Sequence, residues 1–403
     1  MLDLDFVRAQ FPALETPWAL LDSAGGSAPC RQVIDRVRSH MERLPVQLGA
    51  SYALSVGARS AVDAGRAFAA ELVNAQPDEL LLGASSTVLV QQLATSLRAG
   101  WREGDEVIVT NLDHEANVGP WRKLAATGIV VREWRVREET LTLHVEDLEA
   151  LLSERTRLVA FTHCSNVVGS IVDVATIAAR VREAGALSCV DGVAFAPHRH
   201  VDVRALGIDF YFASLYKVYG PHLGLMFGRR ELLREAESAN HHFIPADALP
   251  AKFEPGNVCY ELAASLVGIR GYLGSLASHH GLADTRDLAA TFALIAEHEQ
   301  QLVQPLLAFL DEHPRVELIG NPHADREHRV PTVSFTVEGQ RASAITPQLD
   351  VHSLATRHGH FYAYRLIRDL GLLDRDGVVR VSLLHYNSPE EVTRLIAALA
   401  EIL

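Results

Sequence analysis

Two kinds of segment alternate along residues 65–230. Short apolar, β-rich runs predict strands, and the stretches between them, such as residues 88–98 and 173–183, carry helical patterns. The predicted strands are residues 79–82, 106–110, 129–136, 157–163, 187–190, 210–213 and 223–227. This alternation is typical of an α/β fold in which a mostly parallel sheet is covered by helices on both faces. Ligands bind beyond the carboxyl ends of such strands, so polar residues just after each strand carry the most weight.

The pattern changes after about residue 280. A long helix over residues 286–310 is predicted, with a kink at Pro305. Ser388, Pro389 and Glu391 have the spacing of a capping box that opens a final helix. The strands predicted between these two helices are residues 316–319, 332–337 and 378–384.

These patterns divide the chain into three parts. We expect an N-terminal segment over residues 1–20 that packs on the small domain, a large domain over residues 21–280, and a small α+β domain over residues 281–403. Residues 233–253 are polar and irregular. They are predicted either to link the two domains or to reach a partner subunit.

The composition is that of an ordinary globular protein and narrows the possible partners. A net charge of −13 over 403 residues argues against nucleic-acid binding, which needs clustered Lys and Arg. The acidic N-terminus is unlike a signal peptide, and no apolar run reaches membrane-spanning length. Cys30, Cys164, Cys189 and Cys259 are too far apart to indicate a disulfide framework or a zinc site. We therefore expect a cytoplasmic protein.

Several familiar motifs are missing. The sequence contains no GxxxxGK[ST] loop, no GxGxxG after a strand and no GxSxG elbow. The histidine pairs at 198/200, 241/242 and 279/280 have no carboxylate or cysteine at matching spacing, so no metal site is predicted.

Four polar clusters follow predicted strands. Residues 83–87 present hydroxyl and N–H groups at a helix N-terminus, which suits a phosphate and equally an ordinary helix cap. Asp191 ends a buried strand, where its carboxylate suits a protonated pyridine nitrogen and equally a helix N-cap or a structural salt bridge. Lys217 lies between aromatic residues after an apolar strand, where a desolvated amine can form a Schiff base, although a lone lysine is more often a surface residue. Residues 162–166 form the fourth cluster.

Together these clusters supply what pyridoxal 5′-phosphate (PLP) requires. The cofactor needs a phosphate cup, an acid for its ring nitrogen, an amine for its aldehyde and a donor for its ring oxygen. Asp191 precedes Lys217 by 26 residues with one strand between them, which makes the set more specific than its parts. The sequence therefore predicts PLP as the cofactor.

Over nearly its whole length, from residues 21–24 to residues 385–388, the chain resembles the class V aminotransferase and cysteine desulfurase family. The resemblance implies a fold-type I α/β architecture with a seven-stranded sheet, and an amino-acid substrate. It assigns catalysis to Lys217 and His114, and a carboxylate clamp to Arg380, helped by Arg357. The cofactor-binding residues that it implies are Lys217, Asp191, His114, Asn166, Ser86, Thr87 and Ser214.

The chain also departs from the family pattern. Tyr362 lies near the position where desulfurases carry a nucleophilic cysteine, and it is expected to contact the substrate instead. Ala194 replaces a glutamine that contacts the ring oxygen, and Tyr216 replaces a histidine before the lysine. Asn257 replaces a threonine in a segment that contacts the neighbouring subunit's phosphate, which implies a homodimer with shared active sites.

We therefore expect a PLP-dependent enzyme that acts at Cα or Cβ of an α-amino acid. The resemblance favours carbon–sulfur cleavage or β-elimination without the usual nucleophilic cysteine, with Cys164 and Cys259 as open candidates for its replacement. The missing cysteine favours the alternative, an aminotransferase or epimerase of another amino acid. A PLP-binding scaffold without turnover is a remoter hypothesis, because a scaffold would not need Lys217, Asp191, His114 and Arg380 together.

Overall fold

The structure, a computed structural model, describes residues 2–403. The helices are α1 (Leu4–Arg8), α2 (Arg31–Arg43), α3 (Ala53–Glu71), α4 (Ser86–Arg98), α5 (Gly119–Lys123), α6 (Val145–Glu149), α7 (Val174–Glu183), α8 (Val203–Leu206), α9 (Arg230–Glu235), α10 (Tyr260–Ser265), α11 (Val267–His279), α12 (Leu288–Glu312), α13 (Ala342–Val351), α14 (Tyr364–Asp369) and α15 (Pro389–Ile402). The strands are β1 (Ala19–Leu20), β2 (Leu80–Gly83), β3 (Glu106–Thr110), β4 (Val130–Trp134), β5 (Thr156–Thr162), β6 (Leu187–Asp191), β7 (Phe210–Ser214), β8 (Gly224–Gly228), β9 (Val316–Ile319), β10 (Thr332–Val337), β11 (Leu354–Ala355), β12 (Arg357–Gly359) and β13 (Val378–Ser382).

Seven strands form the large sheet in the order β2-β8-β7-β6-β5-β3-β4. The pairs β3–β4, β3–β5, β5–β6 and β6–β7 are parallel, whereas β8 runs antiparallel to both of its neighbours. The mostly parallel seven-stranded sheet predicted from the sequence is confirmed. β3, β7 and β8 are buried along their whole length, and β5 and β6 at every residue but one, as helices on both faces require.

Local capping signals place the helices that border the sheet. The Ser85 side chain accepts a hydrogen bond from Val88 N and begins α4, and Asp173 begins α7 in the same way through Thr176 N. Ser388 and Glu391 form the predicted capping box at the start of α15.

The C-terminal part of the chain contains an antiparallel sheet in the order β12-β13-β10-β9. One face of this sheet shares a hydrophobic core with α12, α13 and α15. The predicted long helix is present as α12, which continues through Pro305 to Glu312.

The N-terminal segment contacts both parts of the molecule. β1 pairs with β11, and Arg8 forms an ion pair with Glu391 at 3.0 Å. Phe11 packs against Tyr272 of α11, with ring centroids 5.0 Å apart. The segment therefore contacts β11 and α15 in the C-terminal part of the chain and also α11 beside the large sheet.

Residues 233–253 do not link the two sheets, so that alternative was wrong. Leu233 and Phe253 lie in the core beside α4 and the large sheet, and Ala239 N donates to Lys252 O at 3.1 Å. The chain instead passes between the two parts after α11. An irregular polar segment gives no periodicity from which this folding back could be predicted.

Candidate active site

A cavity of about 520 Å³ lies at the carboxyl ends of β5, β6 and β7. The last residues of these strands, Thr162, Asp191 and Ser214, line it. This is the edge at which parallel α/β sheets bind ligands. The complete lining comprises Ser85, Ser86, Thr87, Gln91, His114, Glu115, Ala116, Gly119, Pro120, Lys123, Thr162, Cys164, Asn166, Asp191, Val193, Ala194, Ser214, Tyr216, Lys217, His222 and Tyr362.

Lys217 and Asp191 are the two buried charged groups of the cavity. Lys217 lies in the turn after β7 and is 7% exposed, and burial lowers its pKa to about 8, with Arg380 adding to the shift and Asp191 opposing it. Burial raises the pKa of Asp191 to about 6, which the Val193 N–H and the Lys217 charge oppose. A buried lysine of this kind gives up its proton near neutral pH and can act as a nucleophile or base.

His114 faces the same cavity from the turn that follows β3. Its Nδ1 accepts a hydrogen bond from Ala116 N at 3.0 Å, which leaves Nε2 to carry the proton of the neutral ring. Burial lowers the pKa of His114 to about 3, and the charges of Lys217 and Arg380 act in the same direction. The imidazole is therefore neutral at physiological pH.

Ser86, Thr87 and Ser214 meet where α4 begins beside the end of β7. Ser86 Oγ donates to Ala213 O at 2.8 Å and lies 2.7 Å from Ser214 Oγ. The Thr87 hydroxyl has no hydrogen-bond partner within residues 2–403. Free N–H groups at the start of this helix, together with these hydroxyls, form an anion-binding corner.

The Arg380 guanidinium lies beside the cavity and not in its wall. It is 2% exposed, Nη2 donates to Asp22 Oδ1 at 2.7 Å, and Nη1 donates to Asn166 O at 3.1 Å. The ring of Phe361 covers it, with its centroid 3.8 Å from Cζ. Burial lowers the pKa of Arg380, and the carboxylate of Asp22 opposes this shift.

A short loop connects Arg380 to the rest of the site. Phe361 and Tyr362 both have left-handed backbone conformations, with φ of 49° and 59°, which cost of order 1 kcal/mol each for residues other than glycine. Asn166 Nδ2 donates to Phe361 O at 2.9 Å, and Glu115 N donates to Tyr362 O at 2.8 Å. These bonds hold the Tyr362 ring 5.1 Å from that of His114.

The structure brings most of the residues predicted for the site together. Eight of them line the cavity: Ser86, Thr87, His114, Asn166, Asp191, Ser214, Lys217 and Tyr362. Arg380, Arg357 and Asn257 do not line it. Arg357 lies 3.5 Å from Asp22 and is largely exposed, and Asn257 is exposed at a left-handed turn with φ of 65°.

The sequence analysis did not predict three of the residues that form the site. Asp22 holds Arg380, and Glu115 and His222 line the cavity. The position of Glu115 next to His114 was the available signal for it. Asp22 and His222 carry no local signal, because only the folded chain brings them to this edge of the sheet.

The donor set fits PLP. The cavity offers a buried amine, a buried carboxyl group, a neutral imidazole and a helix N-terminus with a free hydroxyl, which match the aldehyde, ring nitrogen, ring face and phosphate of that cofactor. Asn166 Oδ1 is buried without a hydrogen-bond partner within residues 2–403, as a group that awaits a polar ligand would be. Residues 2–403 contain no cluster of three or more His, Cys, Asp and Glu that could hold a metal ion.

Comparison with known proteins defines the class. The model of the family "Aminotransferase class-V" matches residues 19–257 and 276–395. The chain therefore belongs to the class-V aminotransferase family, and it is a PLP-dependent enzyme of the transferase or lyase type with the fold-type I architecture.

Individual relatives span the whole chain. It is 40% identical to "Aminotransferase-like protein FGM3" of Gibberella zeae, over 99% of this chain and 98% of that protein. It is 32% identical to "Cysteine desulfurase-like protein ustD" of Aspergillus flavus, over 100% of this chain and 91% of that protein. The crystal structure of the cysteine desulfurase CsdA from Escherichia coli superimposes with a TM-score of 0.84 and 25% identity, over 100% of this chain and 98% of that one.

Within residues 2–403, none of the helices combines the length and the apolar character that crossing a membrane demands.

Proposed function

We propose that this enzyme breaks a bond at Cα or Cβ of an α-amino acid, in the manner of a carbon–sulfur lyase or β-eliminating enzyme. The observation that carries the proposal is the burial of Lys217 and Asp191 in one cavity, with the pKa of Lys217 lowered to about 8. Bound PLP would take up the electron pair of the bond that breaks.

Each residue has a distinct task in this proposal. Lys217 holds the cofactor, and its amine then removes the proton from Cα of the substrate. Asp191 keeps a negative charge beside the ring nitrogen, and His114 packs on the ring face as a neutral imidazole. Arg380, oriented by Asp22, binds the substrate carboxylate, with Arg357 assisting at the surface.

Phosphate and ring-oxygen contacts complete the binding site. The N–H groups at the start of α4 and the Thr87 hydroxyl hold the phosphate, and Ser86 and Ser214, whose protons are bonded within the protein, border it. Asn166 is assigned to the ring oxygen, to which its Nδ2 would donate in place of Phe361 O. Asn257 is exposed, and it reaches the phosphate of a second subunit in a homodimer with shared active sites.

The cysteines support β-elimination over persulfide formation. Of the cysteines in residues 2–403, Cys164 alone lines the cavity, and its Sγ contacts the carbonyl oxygens of Ser165 and Gly169. Burial raises the pKa of Cys164 to about 12, so the thiol stays protonated and is a poor nucleophile. The residue beside His114 is Tyr362, which cannot accept sulfur.

Transamination, or epimerisation, of a different amino acid is the second candidate. The observation in its favour is the 40% identity to a protein named as aminotransferase-like. We also propose the cytoplasm as the location, because none of the four cysteines is paired.

Product analysis tests the proposal. The purified, PLP-loaded protein is incubated with L-cysteine and a reductant, and the products are quantified. Pyruvate, ammonia and sulfide together show β-elimination, whereas alanine with sulfide shows desulfuration and directs attention to Cys164 and Cys259.

A second measurement separates the remaining hypotheses. Incubation with a panel of amino acids in D₂O reveals exchange of the Cα proton. Exchange without elimination favours the aminotransferase or epimerase. Turnover that requires a 2-oxo acid co-substrate then identifies an aminotransferase, and loss of optical rotation identifies an epimerase. PLP binding without any exchange supports the scaffold hypothesis and overturns the enzymatic proposal.

A further inference from the structure

His222 lines the cavity and has no role in the site as described so far. Its ring stacks on that of Tyr216, with centroids 4.4 Å apart and planes 11° from parallel. Both side chains line the cavity, and both also line a neighbouring groove of about 860 Å³ against α2. They therefore form the wall between the two spaces.

Close packing brings the His222 segment against the start of α4. Gly224, two residues after His222, opens β8, and a Cβ atom there would lie 2.4 Å from Ser85 C and 2.5 Å from Ser86 N. Only glycine permits that approach. The chain two residues after His222 is thus fixed against the start of α4, while the His222 side chain is itself exposed.

The hydroxyl groups of this corner offer few free protons. Because Ser86 Oγ donates its proton to Ala213 O, the bond between Ser86 and Ser214 is made by the Ser214 proton. Both serine protons are then used within the protein. An anion at the corner is left with backbone N–H groups, the Thr87 hydroxyl and whatever positive charge the wall supplies.

The other groups near the cavity that could carry positive charge either lie with a carboxylate or are neutral. Lys217 is buried with Asp191, Arg380 is bound by Asp22 outside the wall, and His114 is neutral because burial lowers its pKa to about 3. Two cavity-lining groups remain that can carry a positive charge, Lys123 on α5 and His222. His222 is the one whose chain segment, at Gly224, packs against the start of α4.

We propose that His222, fixed by its stacking on Tyr216, is the residue that supplies positive charge to the phosphate group of the cofactor. The inference rests on the proposed function, since it assumes that PLP occupies the cavity. It adds a binding residue that neither spacing nor strand position indicates. A charge-assisted hydrogen bond of this kind corresponds to about tenfold to a hundredfold in affinity.

The test compares two ligands that differ only in the phosphate. Dissociation constants of PLP and of pyridoxal are measured by absorbance titration of the full-length apoprotein, for the natural protein and for His222→Gln, His222→Lys and Lys123→Gln. We expect His222→Gln to weaken PLP binding about tenfold to a hundredfold while pyridoxal binding stays unchanged. His222→Lys should restore most of the PLP affinity, and Lys123→Gln should leave the ratio of the two constants unchanged.

The other outcomes overturn the inference in distinguishable ways. Equal weakening of PLP and pyridoxal by His222→Gln would assign His222 a purely structural role in the wall. If Lys123→Gln alone changed the ratio of the PLP and pyridoxal dissociation constants, Lys123 would be the residue that supplies positive charge to the phosphate. Failure of the natural protein to bind either ligand would overturn the proposed function, and this inference with it.

Discussion

The carboxylate of Asp22 joins two arginines that come from different strands of the C-terminal sheet. Its Oδ1 accepts from Arg380 Nη2 at 2.7 Å, and its Oδ2 lies 3.5 Å from Arg357 Nη1. Arg380 is buried and Arg357 is mostly exposed, so the two ion pairs differ in environment. Asp22 and the Asn166 carbonyl each hold one Nη of Arg380, whereas its Nε has no partner within residues 2–403, so the guanidinium is fixed in orientation and keeps one donor for a carboxylate.

Replacement of Arg380 by lysine tests that clamp. Lysine keeps the charge but loses the planar fork, so we expect KM for an amino-acid substrate to rise about tenfold or more with a smaller change in kcat. Steady-state kinetics on whichever amino acid the product analysis identifies provide the measurement. Arg357→Lys is the matched control and should change KM by less, because its side chain is exposed. Equal effects of the two substitutions would contradict the clamp.

Replacement of Lys217 by alanine tests the attachment of the cofactor. We expect the visible absorbance of the lysine-bound cofactor to disappear, because the chain then offers no buried amine in the cavity. Borohydride reduction followed by peptide mapping should label Lys217 in the natural protein. Lys123→Ala should retain the absorbance band. A band that persists in Lys217→Ala would contradict the assignment of Lys217 as the residue that holds the cofactor.

The buried thiol of Cys164 should be dispensable for any release of sulfide. Since burial raises its pKa to about 12, Cys164→Ser is expected to keep the rate of product formation from L-cysteine within about twofold. Tyr362→Cys is the complementary variant, and it should gain alanine formation if persulfide chemistry needs a thiol at that position. A Cys164→Ser enzyme that loses sulfide release would make Cys164 the acceptor after all.

Asp113 makes the stability of the apoprotein depend on pH. Burial raises the pKa of Asp113 to about 7, the Asp191 charge adds to this shift, and hydrogen bonds from Thr110 and Asn117 oppose it. The unfolded value is about 3.9, so between about pH 4 and 7 the folded chain binds more protons than the unfolded chain. The free energy of unfolding that Asp113 contributes therefore falls as the pH rises through this window.

Asp113→Asn removes this titration. We expect its free energy of unfolding, measured by urea denaturation, to fall less steeply between about pH 4 and 7 than that of the natural protein. Asp325→Asn, at an exposed carboxylate whose pKa is lowered, serves as the control and should leave the slope in that window unchanged. Identical slopes for Asp113→Asn and the natural protein would refute the prediction.

The proposed homodimer makes a prediction about α2. Ile34 and Met41 lie seven residues apart on this helix, and they are 42% and 60% exposed beside the apolar groove. If a second copy covers this face, Met41→Asp should shift the protein toward monomer in sedimentation-velocity runs. Val351→Asp, at an apolar side chain 82% exposed on α13, is the control and should leave the mass unchanged. A natural protein that sediments as a monomer would rule out the dimer.

The sequence pattern was sufficient to predict the strands of the large sheet, but it did not predict that one of them runs in the opposite direction. The seven apolar runs all became strands, because burial on both faces requires continuous apolar residues. The reversal of β8 left no mark in the sequence, since side-chain alternation is the same in either direction. The division into three domains stays a prediction.

The ends of the predicted strands located the residues that line the cavity better than the residues that lie beside it. Asp191, Ser214 and the turn that holds Lys217 follow buried strands, so the sheet itself brings them together. Asp22 and Arg380 are 358 positions apart and meet only when β1 and β13 are placed. The roles of all these residues stay predictions until the experiments above are done.

The left-handed backbone at Tyr362 has an evolutionary consequence. A cysteine would carry about the same conformational cost there as tyrosine does, because neither residue is glycine nor β-branched. Tyrosine and cysteine codons differ by one base, so a single nucleotide change would place a thiol beside His114 in a loop that is already shaped to hold it. The residue at this loop position therefore decides whether a thiol lies beside His114, which overall similarity to a relative does not report.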